Sequence, residues 1–269
     1  MAKYRIGVTE AGDAGIDLNW VQKMDTVDGA VVITKQITHG FLDAVLEHQR
    51  KLIVHTTLTG YGGSVLEPCV PTPDEQFEAV QALVDSGFPQ EKIVIRVDPL
   101  IPTEKGLGKA LRVIETCMDD GFRRYRVSVL DMYRHVRNRF RATGLPLPYG
   151  ENQFASRAQL SEADAMLREA AAYWQGLGRQ ASDLRIESCA EPYLRYPIRC
   201  GCVSAYDLEL LGLDASDADS MGYQREHCMC YSGKVELLSH KHPCSHGCLY
   251  CYWGECTTNL KKEGSSSGL

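Results

Sequence analysis

The most restrictive feature of the chain is the alternation of short apolar segments with longer amphipathic ones. The apolar segments, rich in valine and isoleucine, are YRIGVTE, GAVVITKQ, RKLIVHTTLTG, EKIVIRVDPL, RYRVSVLDM, DLRIESCAE and, late in the chain, KVELLSH. Each is bounded by turn or charged residues, which predicts strands. Helical patterns such as HGFLDAVLEHQ and TPDEQFEAVQALVDSGF lie between them. Because nearly all-apolar strands are buried on both faces, the alternation predicts a parallel sheet covered by helices.

Six or seven strand–helix units favour an α/β fold of the (β/α) barrel type, partial or complete. A dinucleotide-binding sheet would carry a glycine-rich fingerprint after its first strand, and GVTEAGDAG resembles that fingerprint only loosely. The helix in SEADAMLREAAAYWQGLG is predicted to begin after Ser161 as its N-cap. The length suits one domain over residues 1–260, with a cysteine-rich part at 189–256. Residues 261–269, KKEGSSSGL, have the composition of a flexible tail or of residues added for expression.

Composition indicates an aqueous, reducing compartment. Hydrophobic residues make up 44% of the chain, charged residues make up 24%, and the net charge is −6. No apolar run approaches the roughly 20 residues that span a bilayer, and the N-terminus lacks the apolar core of a signal peptide. We therefore expect a cytoplasmic protein without membrane contact. Because cytosolic thiols stay reduced, its 11 cysteines, nine of them between Cys189 and Cys256, predict metal sites rather than disulfides.

Polar residues collect where the predicted strands end. In α/β barrels the chemistry lies at the carboxyl ends of the strands. Alternation along an extended strand puts Arg96 and Asp98 on one face of theirs, and His55 on the same face as the threonines at 57 and 59. The candidate catalytic residues are Arg96, Asp98, Glu187 and His55, and the candidates for binding a cofactor on this edge are Thr57 and Thr59.

Near the end of the chain, HPCSHGCLYC places Cys244, Cys248 and Cys251 at C-x3-C-x2-C spacing. Thiolates are soft donors that select zinc or iron–sulfur clusters. A structural zinc ion takes four protein ligands, whereas three cysteines on a 4Fe–4S cluster leave one iron open to an external ligand. The spacing favours the cluster, while zinc stays open as an alternative. The candidate fourth ligands for zinc are His240, His242, His246 and Cys256.

The segment CSHGCLYC resembles the cluster-binding loop of the radical S-adenosylmethionine (SAM) superfamily, in which an aromatic residue precedes the third cysteine. The resemblance implies that Cys244, Cys248 and Cys251 hold a 4Fe–4S cluster and that SAM chelates its open iron. Tyr250, at the aromatic position, would lie against the adenine. Reductive cleavage of SAM would release a 5′-deoxyadenosyl radical that abstracts a substrate hydrogen. A small electron donor such as a flavodoxin or ferredoxin would supply the electron.

The cysteine loop follows the last predicted strand, whereas radical SAM domains carry it after their first. A circular permutation of the barrel accounts for this position, because KVELLSH then takes the place of the first strand although it is written last. Over most of its length the chain resembles an uncharacterised family of radical SAM-like proteins with a C-terminal cluster loop. The similar blocks are HTTLTGYG, RVDPLIPT, VSVLDMYRHVRNR, ESCAEP and GYQREHCMCYSGKVELLSHKHPCSHGCLYCYWG.

Five further cysteines lie upstream of the loop, in the contexts ESCAEP, RCGC and HCMC. The family resemblance implies four of them as ligands of an auxiliary 4Fe–4S cluster, for electron transfer or substrate anchoring. These implied ligands are Cys189, Cys202, Cys228 and Cys230. A structural zinc site, or buried thiols that act as small apolar side chains, are the alternatives.

The segment RRYRVSVLDMYRHVRNRFR holds seven arginines in nineteen residues, which could form a phosphate-binding face or a solvated helix face. Some phage-encoded relatives are associated with thymidine hypermodification. The resemblance therefore implies a DNA or nucleotide substrate, and most specifically the isomerisation of an amino-acid-modified thymidine in phage DNA. Within the enzyme class, the alternative is a small molecule held by Arg96, Asp98 and Glu187. The other classes are a zinc-stabilised nucleic-acid-binding protein without SAM chemistry and a barrel hydrolase using Asp98, Glu187 and His55.

Overall fold

The computed structural model describes residues 2–216, 218, 228–238 and 244–252. At its centre is an eight-stranded sheet, curled into a half-barrel, in which all neighbouring strands are parallel. The strands are β1 Ile6–Val8, β2 Gly29–Thr34, β3 Leu52–Thr57, β4 Ile93–Leu100, β5 Arg124–Val129, β6 Arg185–Cys189, β7 Ile198–Cys200 and β8 Lys234–Glu236. The order across the sheet is β7-β6-β5-β4-β3-β2-β1-β8. Because β7 and β8 are edges, the prediction of a partial barrel is confirmed.

The last strand lies beside the first. Strand β8 pairs with β1 in parallel, with Ile6 opposite Lys234 and Val8 opposite Glu236. The segment KVELLSH was predicted to occupy the position before β1 in the barrel, and the strand order confirms that position. The chain segment after β8 therefore leaves the sheet at the same edge as the segment after β1.

Helices cover the outer face of the sheet. The described helices are α1 His39–Glu47, α2 Pro73–Asp85, α3 Glu104–Asp119, α4 Arg134–Ala142, α5 Arg157–Gly176 and α6 Ala205–Leu210, with short 3₁₀ segments at Leu18–Thr26, Gln49–Lys51, Gln90–Lys92 and Ala181–Asp183. The first five α-helices pack apolar side chains against the outward-facing residues of the strands in one continuous core. None of the described helices is long and apolar enough to cross a membrane.

Helix α5 begins earlier than its sequence pattern predicts, and the N-cap assigned to Ser161 is wrong. The cap is Ser156, whose hydroxyl accepts from the Gln159 N–H while the Gln159 side chain accepts from the Ser156 N–H. This reciprocal pair satisfies two otherwise unpaired donors of the first turn. Leu160, buried against the core, extends the apolar stripe of the helix over the residues before Ser161.

The inner face of the half-barrel changes character along its strands. At their amino ends it is apolar, and α6 packs against it. The residues of this inner cluster are Ile6, Val8, Val31, Ile53 and Val94, with Val203, Leu208 and Tyr231. Side chains two and four positions beyond Val94, namely Arg96 and Asp98, turn to the same side of the sheet. The half-barrel is therefore polar inside only toward its carboxyl edge, where barrel sites are found.

Candidate metal centres

The cysteine loop, residues 244–252, lies against the carboxyl edge of the sheet. Its backbone bonds to the segment that follows β3. The Leu249 N–H donates to Leu66 O at 3.0 Å, and the Cys69 N–H donates to His246 O at 3.2 Å. The loop therefore lies at the end of the half-barrel where the polar side chains of the strands collect.

His246, between the first two cysteines of the loop, is buried and held by both ring nitrogens. Nε2 lies 2.8 Å from Asp13 Oδ2, and Nδ1 lies 3.2 Å from the carbonyl oxygen of Cys69. Asp13 also accepts from the Thr34 hydroxyl at 2.6 Å and from the Lys35 N–H at 2.7 Å. The histidine thus joins the loop to the ends of β1 and β2, and neither ring nitrogen is available as a fourth zinc ligand. The other candidate fourth ligands, His240, His242 and Cys256, lie outside the described residues.

Helix α4 holds the other end of the loop through Arg139. Its Nε donates to Leu249 O at 2.7 Å, and its Nη2 donates to Cys251 O. A guanidinium presents its donors in a rigid plane, so two carbonyl groups bound to it are fixed relative to each other. The carbonyl groups on either side of Tyr250 are therefore set by a helix of the outer layer.

The three thiols of the loop are neighbours in space. Cys248 is buried, Cys251 is half-buried and Cys244 is exposed. Burial raises the pKa of Cys248, Lys35 opposes that shift, and the charges of the other two thiols add to it. Burial also raises the pKa of Cys244, to about 11. The three sulfur atoms do not all lie within 4.8 Å of one another, so they do not close around a single point.

A buried carboxylate, Glu67, anchors the aromatic residue of the loop. The Tyr250 hydroxyl donates to Glu67 Oε1, which also accepts from Lys35 Nζ at 2.8 Å. The Thr59 hydroxyl donates to Glu67 Oε2 at 2.8 Å, and Lys35 Nζ lies 5.4 Å from the centre of the Tyr250 ring. Thr59, predicted to bind a cofactor, therefore positions Glu67. Thr57, with the same prediction, is buried at the end of β3.

Arg96 and Asp98 of β4 form an ion pair on the inner face, through Arg96 Nη2. Arg96 Nε and Nη1 are buried and have no hydrogen-bond partner within the described part of the chain. Burial alone would lower the pKa of Arg96, but the charges of Asp98 and Cys202 raise it. Burial alone would also lower the pKa of Lys35, but nearby negative groups, Asp98 among them, raise it. The pair is thus within electrostatic reach of Cys202 and of Lys35, which lies beside the loop.

His55 lies deeper in the half-barrel, in register with Val94, whereas Glu187 is in register with Arg96 through Arg126 of β5. Both ring nitrogens of His55 are buried without a partner among residues 2–216, 218, 228–238 and 244–252. Burial, with the charges of Arg126 and Arg96, holds the pKa of His55 well below its ordinary value. Glu187 accepts from Arg126 Nη2 at 2.6 Å and from Arg185 Nη2 at 2.9 Å, so both of its oxygens are engaged. The predicted catalytic set is therefore split between two depths.

Five of the seven arginines in the arginine-rich segment bond to other parts of the protein. Arg124 donates to Asp207 of α6 at 2.7 Å, and Arg126 Nη2 lies 3.6 Å from the other oxygen of that carboxylate. Burial would raise the pKa of Asp207, but the two guanidinium groups hold it well below its ordinary value. The other three are Arg137, Arg139 and Arg141. The segment therefore does not form one continuous exposed face.

The second group of cysteines is assembled from three chain segments. Cys189 ends β6, Cys202 follows β7, and Cys230 precedes β8. Their sulfur atoms all lie within 4.8 Å of one another, and those of Cys189 and Cys202 are 3.5 Å apart. All three residues are buried. Thiols that converge in this way can hold a metal ion or a cluster.

Cys228 is buried against this group, but its sulfur lies outside the set of three. The Cys230 N–H donates to Cys228 Sγ at 3.4 Å, and the Cys202 N–H donates to Cys230 Sγ at 3.1 Å. Hydrogen bonds from the Cys189 and Cys202 thiols lower the pKa of Cys230 to about 3, and the charge of Lys234 adds to that shift. A low thiol pKa favours the thiolate, which is the metal-binding form.

The second cysteine group borders the same polar interior as the loop. Lys234 Nζ lies 3.6 Å from Cys230 Sγ and donates to Glu10 Oε2 at 2.7 Å. Burial raises the pKa of Glu10 to about 7, and the charge of Cys202 adds to the shift. The Arg96 ion pair interacts with Cys202 on one side and with Lys35, beside the loop, on the other. Charged side chains therefore run along the inner face from one cysteine group to the other.

Several residues with clear roles in these contacts were not predicted to have them. They are Asp13, Glu67, Arg139 and Asp207, whose partners lie 233, 183, 110 and 83 residues away in the chain. No local motif records contacts of such separation. The one local signal for Glu67 is an acidic residue within the largely apolar stretch SVLEPCV.

Fold and site together define a half-barrel α/β protein with a cysteine loop at the carboxyl edge of a parallel sheet and a second group of three converging, buried cysteines. Residues 17–253 match a family described as Domain of unknown function (DUF1848). Because the match extends over most of the chain, the protein belongs to this family. No protein of curated function and no solved structure matches the chain significantly.

Proposed function

We propose that this protein is a radical SAM enzyme whose 4Fe–4S cluster is bound by Cys244, Cys248 and Cys251. The observation that carries the proposal is the position of the C-x3-C-x2-C loop. It follows β8, the strand beside β1, and it packs at the carboxyl edge above the polar inner face. A radical SAM half-barrel permuted at its first strand would carry its cluster loop at this place.

The donors of the loop fit a cluster that keeps one open iron. The three thiols are neighbours without closing around one point, and both nitrogens of His246 are engaged elsewhere. When bound by Cys244, Cys248 and Cys251, the cluster would pass one electron from a flavodoxin or ferredoxin to SAM. This would supply the reductive cleavage of its S–C5′ bond and, with it, the means to abstract one hydrogen atom from the substrate.

The chain's own residues hold and shield this chemistry. Arg139 and His246 fix the two halves of the loop against α4 and the ends of β1 and β2. Lys35 lies close enough to Cys248 to oppose the effect of burial on its pKa, so it offsets negative charge at the loop. Tyr250, with its hydroxyl held by Glu67, presents a fixed ring beside the thiols. We assign that ring to the adenine of SAM.

The Arg96–Asp98 pair is the proposed substrate anchor. Arg96 Nε and Nη1 have no partner among the described residues, which leaves two donors for a carboxylate oxygen. Asp98 accepts from Arg96 on the same face, and it would also accept from the ammonium group of a substrate. A substrate with an amino-acid group satisfies both charges. An amino-acid-modified thymidine, rearranged by hydrogen abstraction, and a free small molecule both meet this requirement.

The arginines support a small molecule, or one extruded nucleotide, better than a bound duplex. Arg124 and Arg126 are buried with Asp207 and Glu187, and Arg139 bonds to the loop. A DNA substrate would then depend on turning one nucleotide out of the stack and into the half-barrel, as other base-modifying enzymes do.

Anaerobic purification followed by SAM cleavage tests the enzyme class. We expect brown protein with a broad absorption near 400 nm that releases 5′-deoxyadenosine from SAM when dithionite is added. Cys248→Ala should lose both the iron and the cleavage. Cys69→Ala is the matched control, because Cys69 is exposed and contacts the loop only through its backbone. Colourless protein without SAM cleavage would end the proposal and leave a zinc-stabilised binding protein.

Deuterium transfer identifies the substrate. Candidate compounds carrying deuterium at the carbon next to the amino-acid group are incubated with SAM and reductant, and 5′-deoxyadenosine is analysed by mass spectrometry. Transfer from a modified thymidine oligonucleotide supports the DNA substrate, and transfer from a free amino acid or nucleoside supports the small molecule. Arg96→Gln should reduce either transfer while SAM binding persists.

A further inference from the structure

We propose that Cys189, Cys202 and Cys230, completed by Cys228, bind one zinc ion rather than a second iron–sulfur cluster. The spacing of the sulfur atoms supports a single ion. Four thiolates at about 2.3 Å from a tetrahedral zinc lie about 3.8 Å from one another. The Cys189 and Cys202 sulfur atoms are 3.5 Å apart, and all three lie within 4.8 Å.

A 4Fe–4S cluster demands a different arrangement of the same donors. Each of its thiolates binds a separate iron, so the sulfur atoms stand outside the four corners of a cube and far from one another. Widening the group to that extent would move β6, the segment after β7 and the segment before β8 apart. Backbone pairing holds β6 beside β7. Two hydrogen bonds hold the other segments together: the Cys202 N–H donates to Cys230 Sγ at 3.1 Å, and the Tyr231 N–H donates to Val203 O at 3.2 Å.

Cys228 supplies the fourth ligand. It is buried within the same cysteine cluster, two residues before Cys230, whose N–H donates to its sulfur at 3.4 Å. A change of its side-chain rotamer moves the sulfur toward the other three without moving a strand. Cys200, the remaining cysteine of this region, lies beside Arg126 and Glu187 instead, whose charges act on its thiol.

The surroundings suit a closed site with excess negative charge. Four thiolates around a divalent ion carry two net negative charges, and Lys234 lies 3.6 Å from Cys230 Sγ while Arg96 lies within electrostatic reach of Cys202. Backbone N–H groups donate hydrogen bonds to the sulfur atoms and orient them, as hydrogen bonds to ligands do around other metal sites. Burial of every ligand leaves no open position, which is the arrangement of a structural zinc. The ion therefore ties the edge strands β7 and β8 together across the inner face.

The metal content of a variant that lacks the three thiols of the cysteine loop reports on this second site alone. The triple variant that removes them combines Cys244→Ala, Cys248→Ala and Cys251→Ala. It is grown in medium supplemented with zinc and iron and is then treated anaerobically with iron and sulfide. We expect it to hold about one zinc per chain and no iron. Substitution of zinc by cobalt should give the intense visible bands of tetrahedral thiolate coordination. In an otherwise wild-type chain, Cys202→Ala should lose the zinc, whereas the matched variant Cys200→Ala should keep it.

The outcomes separate this site from the proposed function. About four irons per chain in the triple variant, with absorption near 400 nm, would overturn the zinc assignment and establish the second cluster. A triple variant that binds neither metal would also overturn it. Wild-type protein that holds zinc but no iron would defeat the radical SAM proposal and leave the zinc site standing. Because the cobalt bands of the wild-type protein should vanish in Cys202→Ala and persist in Cys200→Ala, the assignment does not rest on the triple variant alone.

Discussion

Cys244, Cys248 and Cys251 come from one stretch of eight residues, whereas Cys189, Cys202 and Cys230 come from segments 13 and 28 residues apart that the folded sheet brings together. The first group lies on a loop whose shape is imposed from outside, by Arg139, Asp13 and Glu67. The second group is buried, and its own sulfur atoms converge. The difference suggests that the loop is built for an exchangeable ligand and the second group for holding the fold.

Removing one ligand from each group is the strongest test of that difference. Cys202→Ala should destabilise the protein by about 5 kcal/mol or more, because structural zinc binding contributes about 10–16 kcal/mol in zinc-finger peptides. Cys248→Ala should leave the free energy of unfolding within about 1 kcal/mol of wild type. Chemical denaturation of metal-loaded protein measures both. Equal destabilisation by the two variants would remove the distinction between a structural and a functional group.

Glu67→Ala tests whether the loop depends on support from outside. The variant leaves Lys35 without its carboxylate at 2.8 Å and Tyr250 without an acceptor. Loss of one partner from a buried ion pair costs about 3–5 kcal/mol. Glu75→Ala is the control, because Glu75 is exposed and bonds only within the cap of α2. We expect the iron content to fall with Glu67→Ala and the zinc content to stay. Loss of zinc before iron would contradict the separation of the two groups.

Arg139→Gln should weaken the loop without unfolding it. Residues that orient metal ligands typically contribute 10–100-fold to metal affinity, so iron should dissociate about tenfold faster in the presence of a chelator. The electron paramagnetic resonance signal of the reduced cluster should also change, since the carbonyl groups at Leu249 and Cys251 lose their shared donor. Arg141→Gln, on the same helix but paired with exposed Glu151, should change neither property. Equal effects of the two variants would deny Arg139 a specific role.

His55 gives the smallest expected effect, on the pH dependence of stability. Its pKa is well below 6.5 in the folded protein, so the unfolded chain binds the extra proton first. Stability is therefore lost as pH falls below about 6.5, by up to about 1.4 kcal/mol per pH unit. His55→Gln should flatten this slope, and His39→Gln, at the exposed start of α1, should not. Denaturation series at pH 5, 6 and 7 measure it. An unchanged slope in His55→Gln would show that other titrating groups set the acid sensitivity.

Local patterns predicted the elements whose signals are local. The strand–helix alternation predicted β1 to β6 and β8, and the position of KVELLSH beside β1 is confirmed. Strand β7, only three residues long with Ile198 half exposed, has no pattern of its own and was not predicted. The start of α5 was misplaced because SEAD after Leu160 offers the same capping chemistry as SRAQ. Two possible N-caps of similar sequence can be told apart only when it is known which apolar residues of the helix pack against the core.

For the sites, the sequence by itself determined the donor chemistry: three cysteines on one turn-rich loop, and a further set late in the chain. Side-chain type and short spacing are properties of the chain alone. Only the tertiary structure decided which upstream thiols converge, that Glu187 is committed to Arg126 and Arg185, and that Arg124 and Arg126 turn inward. The thiols converge because the register of the parallel strands brings their segments together, and the Arg126–Glu187 pair forms across 61 residues, so no local pattern encodes either outcome.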